Sequence, residues 1–344
     1  MHMRNPIFER LLPAYKNGGF KMDGYFIWCG SVVPGEDGRY HMFASRWRKE
    51  LGFGAQWLFN SEIVRAVSDK PEGPYTFEEV IFKRRERHFF DALNQHNPSI
   101  KYWNGTYYLY YVGTTYGGPV PEPGDSISPE RAVEVWNNKR IGLATSRSVY
   151  GPWKRTDVPL LEPKRPGNWD CTVTTNPTAA ILEDGTTYLM YKSREYAYST
   201  LLLGVARAPR PEGPYVRIWK DPVFTFANPD FHVEDPFLWY SEGKFHALIK
   251  DDYKNNCGGI SGEWGAGVYA TSGDCINWTM YPEPKAYSRT VLWDDGTTTV
   301  QCALERPNLL FHGDKPTHLF LATGIGPTPY NFTDSWNMAI PLRG

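Results

Sequence analysis

Hydrophobic positions along the chain fall into paired short runs separated by a glycine turn, and this unit recurs five times. The copies are "CGSVVPGEDGRYHMFAS" from Cys29, "HNPSIKYWNGTYYLYYV" from His96, "TNPTAAILEDGTTYLMYKS" from Thr175, "EDPFLWYSEGKFHALIK" from Glu234 and "ERPNLLFHGDKPTHLFLAT" from Glu305. Each reads as a β-hairpin, two runs of strand length around a turn such as "EDG", "NG" or "EG". A second element follows most hairpins, as in "EIVRAVSDKPEGPYTF", "RIGLATSRSVYGPWKRT" and "LLGVARAPRPEGPYVRI". "AGVYATSGDCINWTMY" is a weaker copy, and "SWNMAIPL" reads as a truncated fifth. Here a strand meets a Gly-Pro-aromatic turn and another strand follows. Hairpin plus this element makes about four strands per repeat, which predicts the blades of an all-β, five-bladed β-propeller.

The predicted propeller spans residues 20–344, preceded by an N-terminal extension, residues 1–19. Helical periodicity is confined to "ISPERAVEVWNNK" (127–139) and the N-terminal "IFERLLPAY". The Pro/Gly-rich "TTYGGPVPEPGDSISPE" reads as an insertion in the second blade, and long loops of this kind often form functional rims.

Composition agrees with many short strands and tight turns: 15% aromatic residues, 32 Gly and 28 Pro. A net charge of −1, from 37 basic and 38 acidic residues, argues against a nucleic-acid or anionic-membrane partner. No apolar run is long enough to span a bilayer. The start "MHMRNPIFERLL" lacks the apolar core of a signal peptide, so the expectation is either cytoplasmic placement or a leader removed beforehand. Cys29, Cys171, Cys257, Cys275 and Cys302 show no CxxC pair, which favours free thiols over a disulfide framework.

In a propeller the first strand of each blade lines the axis. Aligning the repeats on proline, with Ser31 standing in its place in the first blade, stacks Cys29, His96, Thr175, Glu234 and Glu305 two positions earlier. Gly30, Asn97, Asn176, Asp235 and Arg306 stack one position earlier. Upstream, four repeats carry an aspartate: Asp23, Asp91, Asp170 and Asp230. A ring of Asp, Glu and His near Trp28, Trp103 and Trp169 suits a sugar, because indole faces cover CH groups while carboxylates hold hydroxyls. Cleaving a glycosidic bond needs two carboxyls, one of them protonated through burial or a neighbouring like charge. Glu234, crowded by Asp235, fits that need. His96 and His232 read as hydrogen-bonding pocket residues.

The hairpin "NPSIKYWNGTYYLYYV" and the turn "ATSRSVYGPW" resemble the five-bladed glycosidases around family 43 of the glycoside hydrolases, the arabinanase and xylosidase group. The resemblance covers about residues 20–342. "EDPFLWYSEGKF" is similar to the segment carrying that family's acid, which implies Glu234 as general acid. The family's base is an Asp directly before Pro in the first blade, where this chain has Gly30, and its acid segment falls in the third blade rather than the fourth. The chain therefore resembles a relative of that family more than a standard member. A relative acting on neoagarobiose-type anhydrogalactosides uses an Asp, Asp, Glu set, which Asp23, Asp170 and Glu234 match in order.

The leading expectation is an exo-acting, inverting glycoside hydrolase that takes an oligo- or polysaccharide and requires no cofactor. Glu234 is its acid, Asp23 or Asp91 its base, and Asp170 orients the acid. His96, His232, Asp235, Glu305, Arg306, Trp28 and Trp169 bind substrate, and Glu305 is the alternative acid. A second expectation is a carbohydrate deacetylase with a divalent metal held by His88, Asp91 and His232. A third is a sugar-binding propeller without catalysis.

Overall fold

The computed structural model of the protein describes residues 5–344. Its sheets are five antiparallel blades, and the first strands of neighbouring blades pack side by side around one axis. Blade one is β1 (Tyr25–Pro34), β2 (Tyr40–Arg48), β3 (Glu62–Ser68) and β4 (Thr76–Val80). Blade two is β5 (Asn94–Trp103), β6 (Thr106–Thr114), β7 (Arg140–Ser146) and β8 (Lys154–Arg155). Blade three is β9 (Thr175–Ile181), β10 (Thr187–Ser193), β11 (Leu202–Ala208) and β12 (Val216–Arg217). Blade four is β13 (Phe231–Ser241), β14 (Lys244–Tyr253), β15 (Gly267–Ser272) and β16 (Trp278–Tyr287). A short hairpin, β17 (Thr290–Leu292) with β18 (Thr298–Val300), leads into blade five: β19 (Glu305–His312), β20 (Lys315–Ile325) and β21 (Asp334–Pro341).

Both faces of a blade press on neighbours, so the middle strands are apolar on both sides. Five separate hydrophobic clusters fill the five interfaces between adjacent blades. The Gly-Pro-aromatic turns join third and fourth strands. Gly73 and Gly213 there have φ of 92° and 100°, a region open to glycine. The next aromatic locks the turn: Tyr75 Oη donates to Pro71 O at 2.7 Å and Tyr215 Oη to Pro211 O at 2.8 Å.

Blade five has three strands of its own, and the N-terminal segment completes it. Leu12 N donates to Pro341 O at 2.9 Å, Phe20 N to Asn337 O at 2.8 Å and Asn337 N to Phe20 O at 3.0 Å. The segment expected as an extension is thus an irregular fourth strand along β21, with Ile7 and Ala14 buried in the interface of blades four and five. In place of the predicted N-terminal helix there is a single 3₁₀ turn, Phe8–Arg10, because the backbone bonds of the following residues go to the sheet.

The insertion in blade two holds α2 (Pro129–Asn137), capped by Ser128, whose hydroxyl accepts from Arg131 N, with Pro129 at the first turn. It packs on α1 (Trp57–Asn60), a single turn between β2 and β3.

Deleting residues 1–15 should lower the melting temperature by several degrees, since it removes the first part of the closing strand of blade five and three buried residues, Asn5, Ile7 and Ala14. A thermal scan of that variant checks this; an unchanged transition would show that the ring closes without the segment.

Candidate functional site

Every innermost strand carries the same defect. Opposite one residue of its partner, each first strand places two: Cys29–Gly30, Asn97–Pro98, Asn176–Pro177, Asp235–Pro236 and Arg306–Pro307. The first residue of each pair is left-handed, with φ of 57°, 52°, 51°, 54° and 54°. These are β-bulges, which bend a strand and re-aim its side chains. They correct the sequence alignment in blade one by one residue. Gly30, not Ser31, stands in the place of the prolines, so Trp28 is the counterpart of His96, Thr175, Glu234 and Glu305.

The bulge residues meet across the axis. Cys29 Sγ donates to Asn97 Oδ1 at 2.7 Å, Asn97 Nδ2 to Asn176 Oδ1 at 2.7 Å, and Asn176 Nδ2 to Asp235 Oδ1 at 2.5 Å. Arg306 Nη1 lies 3.6 Å from the same Asp235 oxygen. This chain of bonds forms the floor of a cavity of about 210 Å³. Trp28, Trp47, Phe53, Trp57 and Trp136 wall it, and Tyr330 sits at its rim.

The residues just before the bulges project into the cavity. His96 Nδ1 pairs with Ser61 Oγ at 2.7 Å, and its ring lies 4.8 Å from that of Trp57. Burial, with Lys139 and Arg306 nearby, holds His96 well below its usual pKa, so it is neutral. Glu234 is gripped by two ammoniums, Lys192 Nζ at 2.5 Å and Lys250 Nζ at 3.0 Å. Burial alone would raise its pKa, but the two lysines overcome that and hold it well below the usual carboxylate range. Glu305 Oε1 accepts from Lys250 Nζ at 2.6 Å and from Tyr330 Oη at 2.5 Å. Its pKa goes the other way: burial raises it, Asp235 and Glu234 add to that, and Lys250 offsets only part. Two adjacent glutamates are thus driven apart, one fixed as the anion and one biased toward keeping a proton.

Of the residues singled out from sequence, the structure gathers His96, Glu234, Asp235, Glu305, Arg306 and Trp28 around this cavity. It places the others elsewhere. Asp23 is exposed in the turn before β1. Asp91 is fully buried away from the cavity, bonded by Arg85, Arg155 and Tyr111. Asp170 repeats that arrangement in blade three with Arg217 and Tyr191. In both blades the tyrosine comes from the second strand and an arginine from the fourth, and a glycine of the third strand (Gly142 or Gly204) makes room for the tyrosine ring. These aspartates staple their blades together. Trp169 stacks on Tyr191 beside that staple, its indole NH donating to Lys220 O. His232 pairs with Asp252 at 3.1 Å. The proposed metal set is not brought together: His88 is exposed beside Glu86, while Asp91 and His232 are held by the partners just named. Among the described residues no cluster of three or more His, Cys, Asp or Glu is poised for a metal.

Sequence reasoning overlooked Lys139, Lys192, Lys250, Trp47, Trp57, Trp136, Phe53 and Tyr330. The signal for two of them was present. Lys192 in "YLMYKS" and Lys250 in "HALIKDD" each interrupt an apolar second strand, at the position opposite the residue preceding the bulge. A lysine there is buried and needs an acidic partner.

No protein-family model matches the sequence, and no curated protein matches it either. Solved structures do match in fold. A family 117 glycoside hydrolase from the marine bacterium Zobellia galactanivorans superposes with a TM-score of 0.63 at 17% identity, over 97% of this chain and 89% of that one. A structure described as a glycoside hydrolase gives 0.67 at 14% identity, over 98% and 94%. An arabinanase from Bacillus subtilis gives 0.55 at 15% identity, over 92% and 94%. The chain has the five-bladed propeller fold that these proteins share.

Asp91→Asn and Asp170→Asn should each cost stability, on the order of 3 kcal/mol, because each leaves an arginine inside the blade without its counter-charge. Chemical denaturation checks the loss. Catalytic or binding activity per folded molecule should be unchanged, and a stable variant with abolished activity would return these aspartates to the site.

Proposed function

We propose that this protein is a glycoside hydrolase that releases a terminal sugar from an oligo- or polysaccharide, with Glu305 as proton donor and Glu234 as the opposing carboxylate. One observation carries the reading: two glutamates at the propeller axis, sharing Lys250, have pKa values pushed in opposite directions inside an indole-walled cavity. That division of labour is what glycosidic cleavage asks of a carboxyl pair. A cavity closed below by the bulge ring supports attack at a chain end.

The spacing favours retention over the inversion expected from family resemblance. Glu234 and Glu305 bond the same ammonium at 3.0 and 2.6 Å, so those two oxygens are no farther apart than these distances combined. That is shorter than the roughly 6.5–9.5 Å that leaves room for water in an inverting site. In the first step Glu305 gives its proton to the glycosidic oxygen as the C1–O bond breaks, and a Glu234 oxygen bonds C1. In the second, Glu305 takes a proton from water, the water oxygen bonds C1, and the C1–Glu234 bond breaks.

A non-catalytic sugar site is the competing reading. It is favoured by the fact that both Glu234 oxygens are already bonded to lysines.

Glu305→Gln should lose about 10²–10⁴-fold in kcat/KM on substrates with poor leaving groups and much less in kcat/KM on activated aryl glycosides, whose kcat should still fall because the second step has lost its base. The alkaline limb of its pH–rate profile should vanish with the latter. Glu234→Gln should be slow on both, and NMR of the first product should show the substrate's own anomer. First product of the opposite anomer would sink the nucleophile role of Glu234. Sugar binding with no turnover across a broad glycoside panel would establish the competing reading.

A further inference from the structure

We propose that the cavity accepts an anionic sugar, one whose ring carries a carboxylate or a sulfate, and that Lys139 and Arg306 receive that anion. The inference rests on the sugar-cleaving reading of the same cavity and narrows its substrate class.

Three cationic side chains line the cavity, Lys139, Lys192 and Arg306, and a fourth, Lys250, stands behind its wall bonded to Glu234 and Glu305; they face three carboxylates, Glu234, Asp235 and Glu305. The carboxylates are satisfied by Lys192 and Lys250, which hold Glu234 and Glu305, and by Asn176, which bonds Asp235. Lys139 and Arg306 remain. Lys139 is 2% exposed and makes no side-chain hydrogen bond or ion pair among the described residues. Its ammonium sits 4.0 Å from the ring centres of both Trp57 and Trp136. Indole faces attract a cation but offer it no lone pair. Arg306 is 8% exposed, and its Nε and Nη1 have no hydrogen-bond partner. The Asp235 oxygen at 3.6 Å is too far to serve.

A buried cation without an acceptor is costly, and folded proteins seldom keep one idle. Burial pulls the Lys139 pKa well below its usual value, and Lys192 and Arg194 add to the effect. An arriving anion supplies the missing acceptor and favours the charged ammonium. The positive surplus grows when Glu305 carries the proton it is to donate. Lys139 and Arg306 line the same cavity, Lys139 from just before blade two's third strand and Arg306 from the bulge of blade five. Blade two lies across the axis from blades four and five, which carry Glu234 and Glu305, so an anionic substituent held by Lys139 can point away from the bond being cleaved.

Titration calorimetry with glucuronate, galacturonate, glucose 6-sulfate and galactose 6-sulfate, each against its neutral parent and the uronates' methyl esters, tests the proposal. At least one acidic sugar should bind roughly 10- to 100-fold tighter than its neutral form, the worth of a charge-assisted contact. The carboxylate and sulfate arms distinguish the two anions. In Lys139→Met the acidic sugar should fall to the affinity of its neutral parent, while the melting temperature stays level or rises because an unpaired buried charge is gone. Equal binding of acidic and neutral sugars, no binding of any acidic sugar at millimolar concentration, or a large loss of stability in Lys139→Met would overturn the proposal. The same sugars as aryl glycosides separate this from the parent reading. Acidic sugars bound but never cleaved would remove the hydrolase and leave the anion site; neutral glycosides cleaved without preference for acidic ones would do the reverse.

Discussion

The arrangement at the axis depends on a backbone bulge repeated in all five innermost strands. A regular strand sends alternate residues to opposite faces, and in a blade both faces belong to neighbouring blades. Side chains of a regular strand would therefore enter the interfaces and leave the axis bare. The left-handed residue at each bulge changes this. It turns its own side chain onto the axis, and the residue before it into the cavity. Asn and Asp adopt such a φ readily, and three of the five bulge residues are Asn97, Asn176 and Asp235. Cys29 and Arg306 do so without that tolerance, at a cost of the order of 1–3 kcal/mol each. The directional run from Cys29 through Asn97 and Asn176 to Asp235 helps to hold Cys29 there.

On this floor the electrostatics follow from which blades contribute what. Blades one to three supply Trp28, His96 and Thr175 before their bulges, all uncharged in place. Blades four and five supply Glu234 and Glu305, so the acidic pair is confined to one side. Two lysines from second strands approach it, Lys192 from blade three and Lys250 from blade four. Their unequal grip separates the two carboxyls: Glu234 faces both ammoniums, while Glu305 shares one of them and also faces Asp235. For Glu234 the folded pKa lies below the unfolded one. Its ion pairs thus contribute stability above the ordinary carboxylate range, and that contribution is lost as pH falls through the lower folded value. Glu305 is raised, so its ionisation works against the fold at neutral pH.

The fold was legible in the sequence because blade formation depends on local signals. Alternating runs, "NG" and "EDG" turns and Gly-Pro-aromatic corners each report on a few neighbouring residues, and they recur. Glu234, Glu305, His96, Asp235 and Arg306 could be read as axis residues for the same reason. The register of blade one could not, since Gly30 in place of proline removes the marker, and only the paired backbone shows where the bulge falls. The aromatic wall was hidden for a different reason. Trp57 and Trp136 come from α1 and from the insertion, outside the repeat, and reach the cavity through packing between segments far apart in the chain.

Asp91 and Asp170 show how repetition can mislead. The recurrence of an aspartate at one place in successive blades looks like a signature of function. Each, however, meets the same kind of tyrosine, arginine and glycine in its own blade, and this explains the recurrence in blades two and three: an identical structural task, solved identically. A binding site at the centre of a pseudo-symmetric ring faces the opposite demand. A ligand without five-fold symmetry needs different groups from the different blades. Trp28, His96, Thr175, Glu234 and Glu305 occupy equivalent backbone positions and share almost no chemistry. In a repeat protein of this kind, a residue constant across blades argues for scaffold. A position that is structurally equivalent and chemically divergent argues for the ligand.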